Sequence, residues 1–150
     1  MAGFRDRLQA DKARSEQLRQ AQERERVRAE AIAAETASSW PSAKAALWNA
    51  IRNVNQDFID EGMPNRFDIA PSAERRDGWP TVDRIDLIHG GGTVRPCAYR
   101  SKVDVDVRSA GTIEVRGVLN GIKKTWKVSE ATENAWRALL EEIYETDKKG

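Results

Sequence analysis

The spacing of apolar residues changes once along this chain, and that change constrains the fold more than any other feature. Leu47, Ile51, Val54 and Phe58 recur at helical intervals and make one apolar stripe. Trp48 and Ile59 are placed to widen it. Later the interval becomes two. Cys97, Tyr99, Val103, Val105 and Val107 share one parity, while Arg100, Lys102, Asp104, Asp106 and Arg108 share the other. That is the pattern of a long half-buried strand. Pro96 stands near its beginning, where a missing N–H is tolerated.

The elements on either side follow from local signals. Ser39-Trp40-Pro41 reads as a helix start with Pro in the first turn, and Gly62 and Pro64 as its end. Residues 63–80 read as an irregular connection with a short extended piece at Phe67 to Ile69. Val82 to Ile88 is a strand, and His89-Gly90-Gly91-Gly92 its turn. Ser109 to Gly111 turns the chain into a strand over residues 112–119, and Asn120-Gly121 is a hairpin signal leading to a last strand over 122–128. Ser129 then caps a helix over 130–146, with Trp136, Leu139, Leu140 and Ile143 on its apolar side.

The expected fold is therefore α+β. A four-stranded antiparallel meander carries helix 40–62 and helix 130–146 on one face. Register sharpens this. The three-residue turn places Val107 opposite Ile113 and Val105 opposite Val115; a two-residue Asn120-Gly121 turn places Val115 opposite Trp126 and Ile113 opposite Val128. The outer face would then hold the rows Asp104–Arg116–Thr125 and Asp106–Glu114–Lys127.

Residues 1–37 differ from the domain at 38–150. They are a dense mixture of Arg, Glu, Gln and Ala with eight basic and seven acidic side chains. These residue types favour helix, and Arg19/Glu23 and Arg26/Glu30 are spaced to pair across one turn. The segment reads as an exposed helical arm. A heptad seam at 4, 8, 11, 15, 18, 22, 25, 29 and 32 reads Phe, Leu, Asp, Ser, Leu, Gln, Glu, Ala, Ile. Its polar middle falls short of a sound coiled coil, so a solvated helix and a weak dimerising arm stand side by side.

Charge decides what function classes remain. The chain holds 25 basic and 24 acidic residues, a net charge of +1, which argues against a uniformly polyanion-coated partner. The balance is uneven, however. Arg95, Arg100, Lys102, Arg108, Arg116, Lys123, Lys124 and Lys127 face only Asp104, Asp106 and Glu114 over residues 93–127. The terminal helix is acidic, with Arg137 against Glu130, Glu133, Glu141, Glu142, Glu145 and Asp147. The basic strands are a candidate surface for a partner or for nucleic acid, with Trp79 as a possible anchor in the connection.

Catalytic and metal readings are weaker. His89-Gly90-Gly91-Gly92 resembles the oxyanion loop of lipase-like esterases over four residues, but no G-x-S-x-G elbow accompanies it. A Cys97/His89 catalyst fails because strand pairing brings Cys97 nearer Ile85 than His89. Asp104, Asp106 and Glu114 could gather around Mg²⁺ or Ca²⁺, yet Arg116 and Lys127 share their rows and can neutralise them. One cysteine excludes an intramolecular disulfide framework and multi-cysteine zinc sites. No P-loop, Rossmann fingerprint, helix-turn-helix signature or internal repeat stands in the sequence.

The expectation is a small, soluble, cytoplasmic protein-interaction or oligomerisation module with a helical arm. It has no catalysis, no cofactor and no membrane span. Its partner is another protein or a second copy. The alternative is nucleic-acid binding through the outer sheet face and the arm's arginines. Trp40, Trp48, Trp126 and Trp136 are read as packing residues.

Overall fold

A computed structural model describes residues 3–71, 81–89, 102–117 and 120–149. The expected placements of Trp79, Arg95, Pro96, Cys97, Tyr99 and Arg100, and of the glycines at 90–92, lie outside these residues. The described chain is α+β. A helix α1 (Phe4–Asp60) precedes strands β1 (Arg66–Pro71), β2 (Thr81–Ile88), β3 (Lys102–Val107), β4 (Thr112–Gly117) and β5 (Lys123–Lys127). A 3-10 turn (Val128–Glu130) leads into α2 (Glu133–Lys149). The strands form one antiparallel sheet in the order β1-β2-β3-β4-β5.

One helix stands where two were expected. α1 runs without interruption through Pro41, and the helix start read at Ser39 is absent. Pro41 has no N–H, so the Ala37 carbonyl loses its partner one turn later, a fault that typically costs about 3 kcal/mol. Packing outweighs it. Thr36, Trp40, Ala43, Leu47, Ala50, Ile51, Val54 and Phe58 are all buried on one side of the helix, across the proline. The local start signal lost to a face that is continuous over both segments.

The sheet has five strands rather than four, because the connection contains β1. Its alternation, Phe67 and Ile69 inward, is too short to stand out in the sequence. A helical side chain completes it: Asn55 donates from Nδ2 to the Phe67 carbonyl at 3.1 Å and accepts the Phe67 N–H on Oδ1 at 2.7 Å. That clasp satisfies backbone groups on an edge strand, which would otherwise be open to pairing with another chain.

The β3–β4 register is the expected one, with Val105 opposite Val115 and Val107 opposite Ile113. The β4–β5 register is displaced by two residues. Ile113 faces Trp126 and Val115 faces Lys124, so the outer rows are Asp104–Arg116–Lys123 and Asp106–Glu114–Thr125. The cause lies at Asn120. A type I′ turn needs a positive φ at both central residues. Here Gly121 has φ 71° and, among the described residues, none other than glycine has a positive φ. Asn120 instead spends its side chain, accepting the Ile122 N–H at 3.1 Å and donating to the Lys102 carbonyl at 3.1 Å. Its amide fills the space at Gly117, where an added Cβ would lie 1.4 Å from Asn120 Oδ1. A shift of two preserves side-chain parity, so Trp126 keeps its inward face.

α1 and α2 cover that inward face. Ile85, Leu87, Val103, Val105, Val107, Ile113 and Val115 are buried beneath Leu47, Ile51, Leu139, Leu140 and Ile143. Trp136 joins three elements. Its ring meets Trp126 edge-on with centroids 5.0 Å apart, and its indole N–H donates to the Ala43 carbonyl of α1 at 3.0 Å. α2 is capped by Thr132, not Ser129: Thr132 Oγ1 accepts the Ala135 N–H at 3.3 Å, while Ser129 belongs to the 3-10 turn. Trp48 and Ile59 do not widen the buried stripe; they are 42% and 67% exposed.

Two substitutions test this account in urea denaturation. Pro41→Ala restores the absent donor and is expected to raise the unfolding free energy by about 1–3 kcal/mol. Trp136→Phe removes the bond to Ala43 from a fully buried site and is expected to lower it by about 1–3 kcal/mol.

Candidate functional site

Three places combine chemistry with position: the exposed half of α1, the outer face of the sheet, and a polar cluster at the end of β2.

Residues 3–32 are exposed throughout. Helix persists there because charges pair along the surface. Arg14 bonds Asp11 at 2.6 Å, Arg19 bonds Glu16 at 2.5 Å, and Arg26 bridges Glu23 and Glu30 at 2.5 and 2.6 Å. The Arg26/Glu30 pair is the expected one. Arg19 turns back to Glu16 rather than forward to Glu23. Glu23 is held below the ordinary glutamate range by Arg26, and Arg26 is raised by Glu23 and then Glu30.

Four of the five large apolar side chains exposed on this half share one side of the helix, and Val27, 53% exposed, lies off it. At about 100° per residue, Phe4, Leu8, Leu18 and Ile32 lie on the side of α1 that further along carries Trp40, Leu47, Val54 and Phe58. The face that builds the core thus continues outward along the arm. Packing on the core begins near Ile32 and Thr36. The buried Thr36 hydroxyl bonds the Ile32 carbonyl at 2.8 Å, and the bend at Gly111 (φ 90°) closes against it.

The outer sheet face is mixed in charge, not basic. Lys102, Arg108, Arg116, Lys123 and Lys127 project on this side by parity. β1 and β2 add Asp68 and Asp86 beside Lys102, and Arg84 beside Asp104. Glu114 receives Arg108 at 3.0 Å and Arg116 at 3.1 Å, and Arg84 pairs with Asp86 at 3.0 Å. Lys124 is not on this face. It shares parity with Trp126 and reaches Glu142 of α2 at 3.0 Å. Lys123 and Lys127 remain exposed along the edge strand β5, where lysines discourage edge-to-edge pairing. Asp104, Asp106 and Glu114 do not converge. Glu114 is turned to two guanidinium groups, Asp106 is buried, and no metal-holding group of His, Cys, Asp and Glu occurs among the described residues.

Two polar sites escaped the sequence reading. Asp83 lies on the helix-covered face and is buried, with the Lys44 ammonium 3.3 Å away. At the end of β2, His89 Nε2 lies 3.1 Å from Asp147 Oδ2 of α2, and His89 Nδ1 lies 3.2 Å from Asn65 Nδ2. These three residues are 24 and 58 positions apart in sequence, so no motif announces them. Their geometry ties the last turn of α2 to the sheet. Among the described residues no nucleophile completes a catalytic set around them.

Lys44→Met would leave the Asp83 carboxylate buried without its counter-charge and is expected to cost about 1–3 kcal/mol in urea denaturation. The pH dependence of the arm has a definite sign. A carboxylate held low supports the folded state above the ordinary glutamate pKa and loses that support as pH falls through the lowered value. Helical Cα chemical shifts around Glu23 and Arg26 are therefore expected to decline as pH falls below the ordinary glutamate range, with a smaller change in Glu23→Gln.

Among the described residues no helix is long and apolar enough to cross a membrane. Comparisons of the chain with protein-family models, with curated proteins and with solved structures find no match.

Proposed function

We propose that this chain is a protein-interaction module that associates through its helical arm. One observation carries the reading. The core-building face of α1 continues as Phe4, Leu8, Leu18 and Ile32 along a half-helix in which every residue from 3 to 32 is exposed. No tertiary packing supports this half among the described residues, and surface ion pairs add only a few tenths of a kcal/mol each. A helix that presents apolar side chains at its tip, at Leu18 and at Ile32 on one face is suited to lie against another surface.

The nucleic-acid alternative draws on Lys123 and Lys127 of β5 and on the arm's arginines. The mixture of acidic and basic groups on the outer face favours it less, because phosphate binding depends on accumulated positive charge.

The test is light scattering of the full chain after size exclusion, across a range of concentrations. The wild-type chain is expected to exceed its monomer mass, and Leu8→Asp with Leu18→Asp is expected to return it to monomer without loss of helix. A wild-type chain that stays monomeric throughout would sink the self-association form of this reading. Salt-sensitive binding to DNA or RNA at ~50 mM salt would favour the alternative.

A further inference from the structure

A cleft lies between the end of α1 and the outer side of α2, some 54 residues from the arm's apolar tip. Its floor is Val54, Phe58, Met63, Leu140 and Tyr144, with Phe58 and Tyr144 edge-on at 5.5 Å. Its rim is Asp57, Glu61 and Glu141 with Arg137, and Lys148, paired with Glu145, stands over the Tyr144 ring at 5.6 Å. Arg137 bonds both Asp57 and Glu141, and Asp57 raises its pKa further above the usual arginine value. Glu61 has no such partner among the described residues. The rim therefore keeps an excess of negative charge. With a volume of about 220 Å³ the cleft is smaller than the ~300–1,000 Å³ of small-molecule sites, and suits an apolar side chain or two.

The arm's tip has the complementary form. Phe4 and Leu8, 68% and 52% exposed, stand one turn apart on one side of the helix. By helical spacing Arg7 flanks them on one side, and Arg5 and Lys12 on the other. None of these three cations has an ion pair among the described residues; Arg7 lies over the Phe4 ring at 5.8 Å. Asp11, the acid nearest the pair, is taken up by Arg14. An apolar pair with a basic border thus matches an apolar cleft with an acidic border.

The two cannot meet within one molecule. They lie at opposite ends of a single continuous helix, separated by roughly 80 Å at 1.5 Å per residue. We infer that the cleft beside α2 receives the Phe4–Leu8 tip of a second copy of this chain. The inference rests on the arm reading and names its partner and its site. Two copies lying antiparallel fill both clefts at once and close the assembly by a two-fold axis. One aromatic anchor buries about 150–250 Å², well below the ~800 Å² per partner of a stable interface. A single docking is therefore weak, and the reciprocal arrangement is the one expected to persist.

The experiment is sedimentation equilibrium of the full chain with paired charge reversals, all at exposed positions. Arg5→Glu with Arg7→Glu, and separately Glu61→Lys with Glu141→Lys, are each expected to weaken association at least about tenfold, by setting like charges against each other. The chain carrying all four reversals is expected to recover most of the loss. Circular dichroism confirms that each variant keeps its helix content. If the wild type associates and Leu18→Asp abolishes it while Glu61→Lys with Glu141→Lys has no effect, the cleft is not the site and the arm reading stands alone. A lack of recovery in the four-fold variant also overturns the inference. A wild type that never exceeds monomer overturns both.

Discussion

Trp136 is the contact on which the remaining structure depends. It sits wholly buried on α2, stacks edge-on with Trp126 of β5, and gives its only donor to a backbone carbonyl of α1. A buried indole must place its N–H, and a carbonyl inside a helix is an unusual recipient because it already serves the helix ladder. The bond therefore fixes the lateral position of α1 against α2 as well as their proximity. With that position set, Leu47, Ile51 and Val54 cover the valines of β3 and β4. Asn55 is brought to β1, and Lys44 is carried over Asp83.

The inner face, the outer face and the arm each resolve charge differently. Inside, a single carboxylate is permitted where a lysine from the covering helix reaches it. Outside, acidic and basic side chains are mixed across the strands, and Glu114 is held by two arginines. Along the arm they alternate within one helix. The net charge of +1 is thus the sum of three local solutions. A surplus remains at the arm's tip and at the rim beside α2, and these are of opposite sign.

How far the sequence foretold this depends on the range of the interactions involved. The inner residues of β3, β4 and α2 and the β3–β4 register were legible because alternation and a three-residue turn are local. The β4–β5 register was not, since Asn120 answered a demand from the Lys102 carbonyl eighteen residues away. Pro41 carried a valid start signal that was overruled by Thr36 and Trp40, whose burial depends on the sheet. β1 needed Asn55, and the His89 cluster needed Asn65 and Asp147. Each miss is a case in which a distant partner decided a local conformation. The exposed Phe4 and Leu8 were visible as a seam, but the cleft beside α2 exists only after two helices have met.

The missing donor at Pro41 has a mechanical meaning for α1. Amide protection in a helix follows how much of it is packed. Residues 3–32 are exposed, and from Thr36 onward one side of the helix is buried. The Ala37 carbonyl, to which Pro41 cannot donate, lies at the junction of these two regimes. Unwinding that starts at the free end meets there a rung already absent, so opening of the arm is uncoupled from opening of the core. The helix behaves as one rod in shape and as two cooperative units in its fluctuations.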